Sequence, residues 1–193
     1  MGSSERESDC ETVYVTAVDI VQNGCARSHC REQSLRACDR GAETVMALQS
    51  GTQAPDIAIG RTDAPKLSKL KGKELAVVYF YPTDMTFGCT IEAQEFRDLY
   101  KQFRKLDTEI IGISVQGEKT HARFSAKEGL PFPLAPDEDR AICKAYDVWS
   151  EAKDKAIRST FLIGKDGKIA RVWPTVKARG HAAEVLAAVK ELT

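Results

Sequence analysis

The sequence predicts an α/β fold, a central mixed β-sheet flanked by helices. Three observations carry that expectation. Two apolar runs of strand length, Leu75 to Tyr81 and Glu109 to Val115, are separated by a long stretch in which apolar residues recur at helical spacing. Each run is followed by a helical pattern, as parallel strands joined by crossover helices require. The chain then closes on a hairpin with a Gly-rich turn and an Ala-rich helix.

The first strand, Leu-Ala-Val-Val-Tyr-Phe-Tyr, has no polar residue to turn toward water and stops at Pro82, so it reads as a buried central strand. From about Cys89 to Leu106, Phe96, Leu99, Tyr100, Phe103 and Leu106 line one side. Glu92, Glu95, Arg97, Asp98, Lys101 and Arg104 take the other, which predicts an amphipathic helix. Lys119 to Glu128 fits a short helix that Gly129 and Pro131 would end, and Asp139 to Val148 fits another. Thr160 to Ile163 and Ile169 to Trp173 flank Gly164-Lys165-Asp166-Gly167 as a hairpin, and His181 to Leu192 forms the last helix. Pro131-Phe132-Pro133 and Trp173-Pro174 read as loop packing. The polar neighbours of His121 and His181 predict solvated helix positions.

With 193 residues, 42% of them hydrophobic, the chain can bury one core and not two. Lys plus Arg and Asp plus Glu both number 28, so no net field draws in nucleic acid or an anionic membrane. No run approaches the roughly 18 apolar residues that span a bilayer, and acidic residues precede Val13 to Val18 where a secretory signal would carry basic ones. The expectation is a soluble protein of the cytoplasm, acting as a monomer or weak homodimer, with its thiols reduced.

Residues 1–45 differ from the rest. Every lysine lies at or after Lys66 and every phenylalanine at or after Phe80, while the opening segment carries eight acids and one aromatic residue, Tyr14. Too few large apolar side chains are present to offset the ordering entropy, so the segment reads as a disordered or loosely attached extension without catalytic role. Met46 looks like a second beginning, and 46–193 forms the domain. Cys25, His29, Cys30 and Cys38 are residue types that zinc prefers, but only Cys25 and Cys30 come near a knuckle spacing, so no metal site is expected.

Tyr81 to Thr90 joins the end of a buried strand to the start of a helix, which is where open α/β sheets bind ligands. Cys89 falls in the first helical turn, where unpaired N–H groups and the helix dipole favour a thiolate. The same donors and the Thr86 hydroxyl could hold peroxide oxygens, while Pro82, which has no N–H, would wall the pocket. A free cysteine is often only a small buried hydrophobe, and taken alone Cys89 allows that reading too. Two other thiol chemistries fail on spacing: a thioredoxin-type pair needs cysteine at Glu92, and a phosphatase loop needs arginine at Glu95.

Pro82-x3-Thr86-x2-Cys89 resembles the active-site signature of peroxiredoxins. Phe80-Tyr81-Pro82 and Gly88-Cys89-Thr90-x-Glu92-Ala93-x2-Phe96-Arg97-Asp98 resemble the bacterioferritin-comigratory or peroxiredoxin Q branch. The resemblance runs over about residues 46 to 192 and includes Ala54-Pro55-Asp56, Asp137-Glu138-Asp139 and Arg158 to Ile163. It implies a thioredoxin-like fold and a thiol peroxidase that reduces hydrogen peroxide and organic hydroperoxides through a Cys89 sulfenic acid, with no cofactor. It gives Thr86 the positioning of peroxide, Pro82 the shielding, and Arg158 the activating cation, whose fixed fork of donors suits two oxygens at once.

Two positions depart from the branch. Gln94 stands where many members carry a resolving cysteine, and Phe87 where many carry proline. The expected cycle therefore uses one cysteine and an outside thiol such as thioredoxin, or glutaredoxin with glutathione. Cys143 reads as a structural residue on a buried helix side, with resolution of the Cys89 sulfenic acid by Cys143 or an N-terminal cysteine as the alternative. A peroxide sensor or a redox-controlled holdase is the competing expectation, marked by stoichiometric oxidation without turnover.

Overall fold

Leu-Ala-Val-Val-Tyr-Phe forms β1 (Leu75–Phe80), and all six residues are buried. In the computed structural model, which describes residues 48–58 and 66–193, β1 is the middle strand of a five-stranded sheet ordered β3-β2-β1-β6-β7. It pairs in parallel with β2 (Thr108–Ser114) and antiparallel with β6 (Ser159–Ile163). β6 continues antiparallel into β7 (Ile169–Trp173), and β2 pairs in parallel with the edge strand β3 (Leu134–Pro136). The sheet is mixed, as expected. The described residues all fall within one unit, Glu43–Thr193. The readings for residues 1–45, including the group of Cys25, His29, Cys30 and Cys38, lie outside the described residues.

The period of two in β1 divides the interior. Leu75, Val77 and Tyr79 point to one face, where they meet Phe96 and Phe103 of α1 (Phe87–Lys105), Phe124 of α2 (Glu118–Glu128) and Val185 and Val189 of α4 (His181–Leu192). Ala76, Val78 and Phe80 point to the other, packing with Ile111, Ile113, Phe161 and, from α3 (Ala141–Ala145), Cys143. Burying such a side chain contributes about 1.5–3 kcal/mol, so the sheet is held from both faces. Gly112 of β2 is required by packing: a Cβ there would come within 2.7 Å of the Tyr79 ring and of Leu134.

The helix expected over Asp139 to Val148 is only the five residues of α3. Arg140 (φ 64°) and Asp147 (φ 54°) are left-handed on either side of it, and a right-handed helix cannot run through them. Pro131-Phe132-Pro133 stays outside any helix or strand, as expected, and β3, to which the sequence reading gave no element, follows it directly; its edge position accommodates Pro136. A small separate hairpin, β4 (Trp149–Ser150) with β5 (Lys155–Ala156), is also absent from the sequence reading. Gly129 ends α2 at φ 62°, as predicted. Among the described residues no helix is long and apolar enough to cross a membrane, and no group of three or more His, Cys, Asp or Glu could hold a metal ion.

Candidate active site

The chain leaves the end of β1 through Tyr81 to Thr86 and enters α1 with Thr86 as its N-cap (φ −81°, ψ 151°). The first intrahelical bond runs from the Thr90 N–H to the Thr86 carbonyl at 2.9 Å. The N–H groups of Phe87, Gly88 and Cys89 precede it and have no helical acceptor, so they carry the positive end of the helix. Cys89 lies in this first turn with its side chain turned inward, 2% exposed. The hydroxyl of Thr86, an exposed residue, donates to the Thr83 carbonyl at 3.2 Å and keeps its acceptor capacity. Pro82 is half-buried at the start of the loop.

Arg158, in the loop that leads into β6, reaches Cys89 from the opposite side. Its Nη2 donates to Cys89 Sγ at 3.1 Å, and its Nη1 donates to Glu92 Oε2. Glu92 follows Cys89 by three residues, so the two side chains share one helix face. The sequence reading put Glu92 on the solvated face of the helix; the structure corrects this, with Glu92 fully buried. Burial pushes the Glu92 carboxyl up to about 7, against the pull of the Arg158 guanidinium. For Arg158 burial disfavours the charge, but Glu92 and Cys89 outweigh it and raise its pKa. The arrangement holds a cation against the Cys89 sulfur at the start of a helix, a geometry suited to attack on an electrophile whose leaving group becomes negative.

The AhpC/TSA family model matches residues 50–172. This chain belongs to that family, and it is a peroxiredoxin. It is 40% identical over 156 residues to peroxiredoxin Bcp of Bacillus subtilis, covering 77% of this chain and 99% of that one. It is 36% identical over 152 residues to the Escherichia coli K12 Bcp, covering 75% and 97%. Among solved structures, the Xanthomonas campestris bacterioferritin comigratory protein superposes with a TM-score of 0.67 at 36% identity, covering 74% of this chain and 92% of that one. BcpB of Mycobacterium tuberculosis gives 0.70 at 28% identity, covering 76% and 99%. The fold is accordingly thioredoxin-like, and the enzyme is a thiol peroxidase with an antioxidant function.

In this peroxiredoxin Gln94 sits at a clasp between helices. Its Nε2 donates to Glu128 Oε2 at 2.8 Å, while Arg97 Nη1 donates to the Glu128 carbonyl at 2.7 Å. Cys143 is fully buried in the core on the far face of the sheet from Cys89, and its thiol is pushed far up by burial and by Asp137. Phe87, by contrast, is 79% exposed at the start of α1, near Met85, which is 38% exposed.

Both helical histidines depart from the solvated positions expected of them. His121 is 3% exposed, with Nδ1 2.8 Å from Asp84 Oδ2. His181 is equally buried, with Nε2 2.9 Å from the Thr160 hydroxyl, and burial pushes its pKa down to about 4 although Glu184 opposes this. Neither Glu92 nor Asp84 is picked out as a site residue by the sequence. The signal available for Glu92 was its spacing of three from Cys89.

Proposed function

We propose that Cys89 attacks the O–O bond of a hydroperoxide as a thiolate, with Arg158 as the activating cation. The observation that carries the reading is the 3.1 Å contact from Arg158 Nη2 to Cys89 Sγ at the start of α1. Sulfur gives up two electrons: an S–O bond forms, the O–O bond breaks, and the departing alkoxide or hydroxide takes up a proton, leaving Cys89 as a sulfenic acid. The N–H groups ahead of Thr90 and the Thr86 hydroxyl hold the peroxide oxygens as that charge develops, and Pro82 walls the pocket. Glu92 keeps the guanidinium fork turned so that its second arm meets the sulfur.

The sulfenic acid is reduced by an outside thiol, with thioredoxin as the favoured donor. Two observations support this: Gln94 is engaged with Glu128, and Cys143 faces the opposite core. We place the enzyme in the cytoplasm as a monomer or weak homodimer, with 46–193 as the catalytic domain and 1–45 as an extension that takes no part in catalysis. The test is peroxide consumption by the full chain with thioredoxin, thioredoxin reductase and NADPH. Sustained turnover is expected, lost in Cys89→Ser and kept within about twofold in Cys143→Ala, since the latter removes one small group from a distant core. A Cys89 to Cys143 disulfide after one equivalent of peroxide would refute the one-cysteine cycle; turnover with glutathione and glutaredoxin alone would replace thioredoxin as the donor.

A further inference from the structure

The loop that leads into α1 is anchored by a carboxylate that the peroxide chemistry does not use. Asp84 stands two residues before Thr86 and five before Cys89, and its side chain is fully buried. One oxygen accepts from the Tyr81 hydroxyl at 2.7 Å and the other meets His121 Nδ1 at 2.8 Å. The phenol also stands 3.5 Å from that nitrogen. A carboxylate only accepts, so Nδ1 carries the proton between them. Tyr81 and Asp84 belong to the strand end and the loop; His121 comes from α2.

The next residue shows why the anchor matters. Met85 has φ 57°, a left-handed conformation that a side chain with a Cβ seldom adopts and that persists only where its surroundings over-determine it. Asp84 on one side and the Thr86 N-cap on the other are the fixed points that hold it. α2 is itself tied to α1 at its far end, through Glu128 to Gln94 and Arg97. The other ring nitrogen, Nε2, is buried without a hydrogen-bond partner among the described residues, beside a cleft of about 190 Å³ lined in part by Ser125, Phe132 and Leu134. All the hydrogen bonding of the His121 ring within the described protein is thus directed at the loop.

We propose that His121 is a positioning residue for the peroxide-binding loop: by holding Asp84 it fixes the turn that sets Thr86 and the first N–H groups of α1, a role that rests on the peroxidase reading above. His121 does not touch the peroxide. It acts through Asp84, and its loss loosens the donors around the leaving oxygen while Cys89 and Arg158 stay in contact.

Two rates measured on the full chain separate this from a merely structural role: that of Cys89 with hydrogen peroxide, and that of Cys89 with iodoacetamide, which needs the thiolate but not the peroxide donors. His121→Phe keeps a ring and removes the Nδ1 donor, whereas His121→Asn offers an amide N–H near the same place. The peroxide rate is expected to fall about tenfold or more in His121→Phe and to return to within about threefold in His121→Asn, the scale of a lost charge-assisted hydrogen bond. The iodoacetamide rate stays within about twofold in both, because the Arg158 contact is untouched. If His121→Phe does not fold by circular dichroism, Asp84→Ala is read by the same two rates, since it removes the carboxylate that Nδ1 meets. A folded His121→Phe protein, or the folded Asp84 variant in its place, whose peroxide rate stays near wild type overturns the proposal, as does one in which both rates fall together. A wild-type chain that consumes no peroxide at all would sink the peroxidase reading itself, and the proposal with it.

Discussion

Arg158 donates to two partners in different directions, Cys89 through Nη2 and Glu92 through Nη1. A planar fork can do this from one position, whereas the single ammonium of lysine cannot reach both without moving. Arg158→Lys is therefore expected to lower the rate of Cys89 with hydrogen peroxide by about a hundredfold, the equivalent of one charge-assisted hydrogen bond lost at the nucleophile. Stopped-flow rates measured while the variant retains its wild-type circular dichroism decide the matter; a rate within about threefold would mean that charge alone suffices. Cys89, Thr86 and Pro82 were picked out as residue types at a spacing, and Arg158 only through the family resemblance. Glu92, Asp84 and His121 were not, because the rule that places charged residues on the wet side of a helix is a rule about residues without buried partners. Glu92 has Arg158, and Asp84 and His121 have each other. Such pairs come from separate elements, and no local pattern announces them.

Elements with a long period were read to within two residues: β1, α1, β2, α2, the β6–β7 hairpin and α4 all lie where their apolar spacing puts them. The short ones were not, since a strand of two or three residues contains no repeat to detect. α3 shows what replaces periodicity. Its N–H groups at Ile142 and Cys143 donate to the buried carboxylate of Asp137 at 2.9 and 2.8 Å, so a side chain outside the helix fixes where it begins. Asp137→Ala would leave two donors without their acceptor and is expected to cost about 2–3 kcal/mol. The urea midpoint should fall with the m-value unchanged, and the peroxide rate at 25 °C should stay near wild type, because α3 packs on the face of the sheet away from Cys89. Loss of peroxide reduction in a folded Asp137→Ala protein would show that the two faces are coupled through the sheet.

Across the whole molecule, two buried groups titrate in opposite senses over the same pH range. Glu92 has its carboxyl raised from 4.5 to about 7 by burial, against the pull of Arg158. The folded state therefore holds a proton that the unfolded chain has released, and stability falls as pH rises from 4.5 through 7. His181 has its imidazole lowered from 6.5 to about 4 by burial, so the unfolded chain binds the extra proton and stability rises as pH climbs from 4 to 6.5. Each window is worth at most about 3 kcal/mol, and where they overlap the two largely cancel. Removing one group exposes the other. Relative to wild type, Glu92→Gln is expected to gain stability progressively between pH 4.5 and 7, and His181→Gln to lose it between pH 4 and 6.5, in urea unfolding at half-unit steps. Parallel curves for wild type and Glu92→Gln would mean that Arg158 holds the Glu92 carboxylate charged throughout, and the buried pair would then be an ion pair at every pH where the enzyme works.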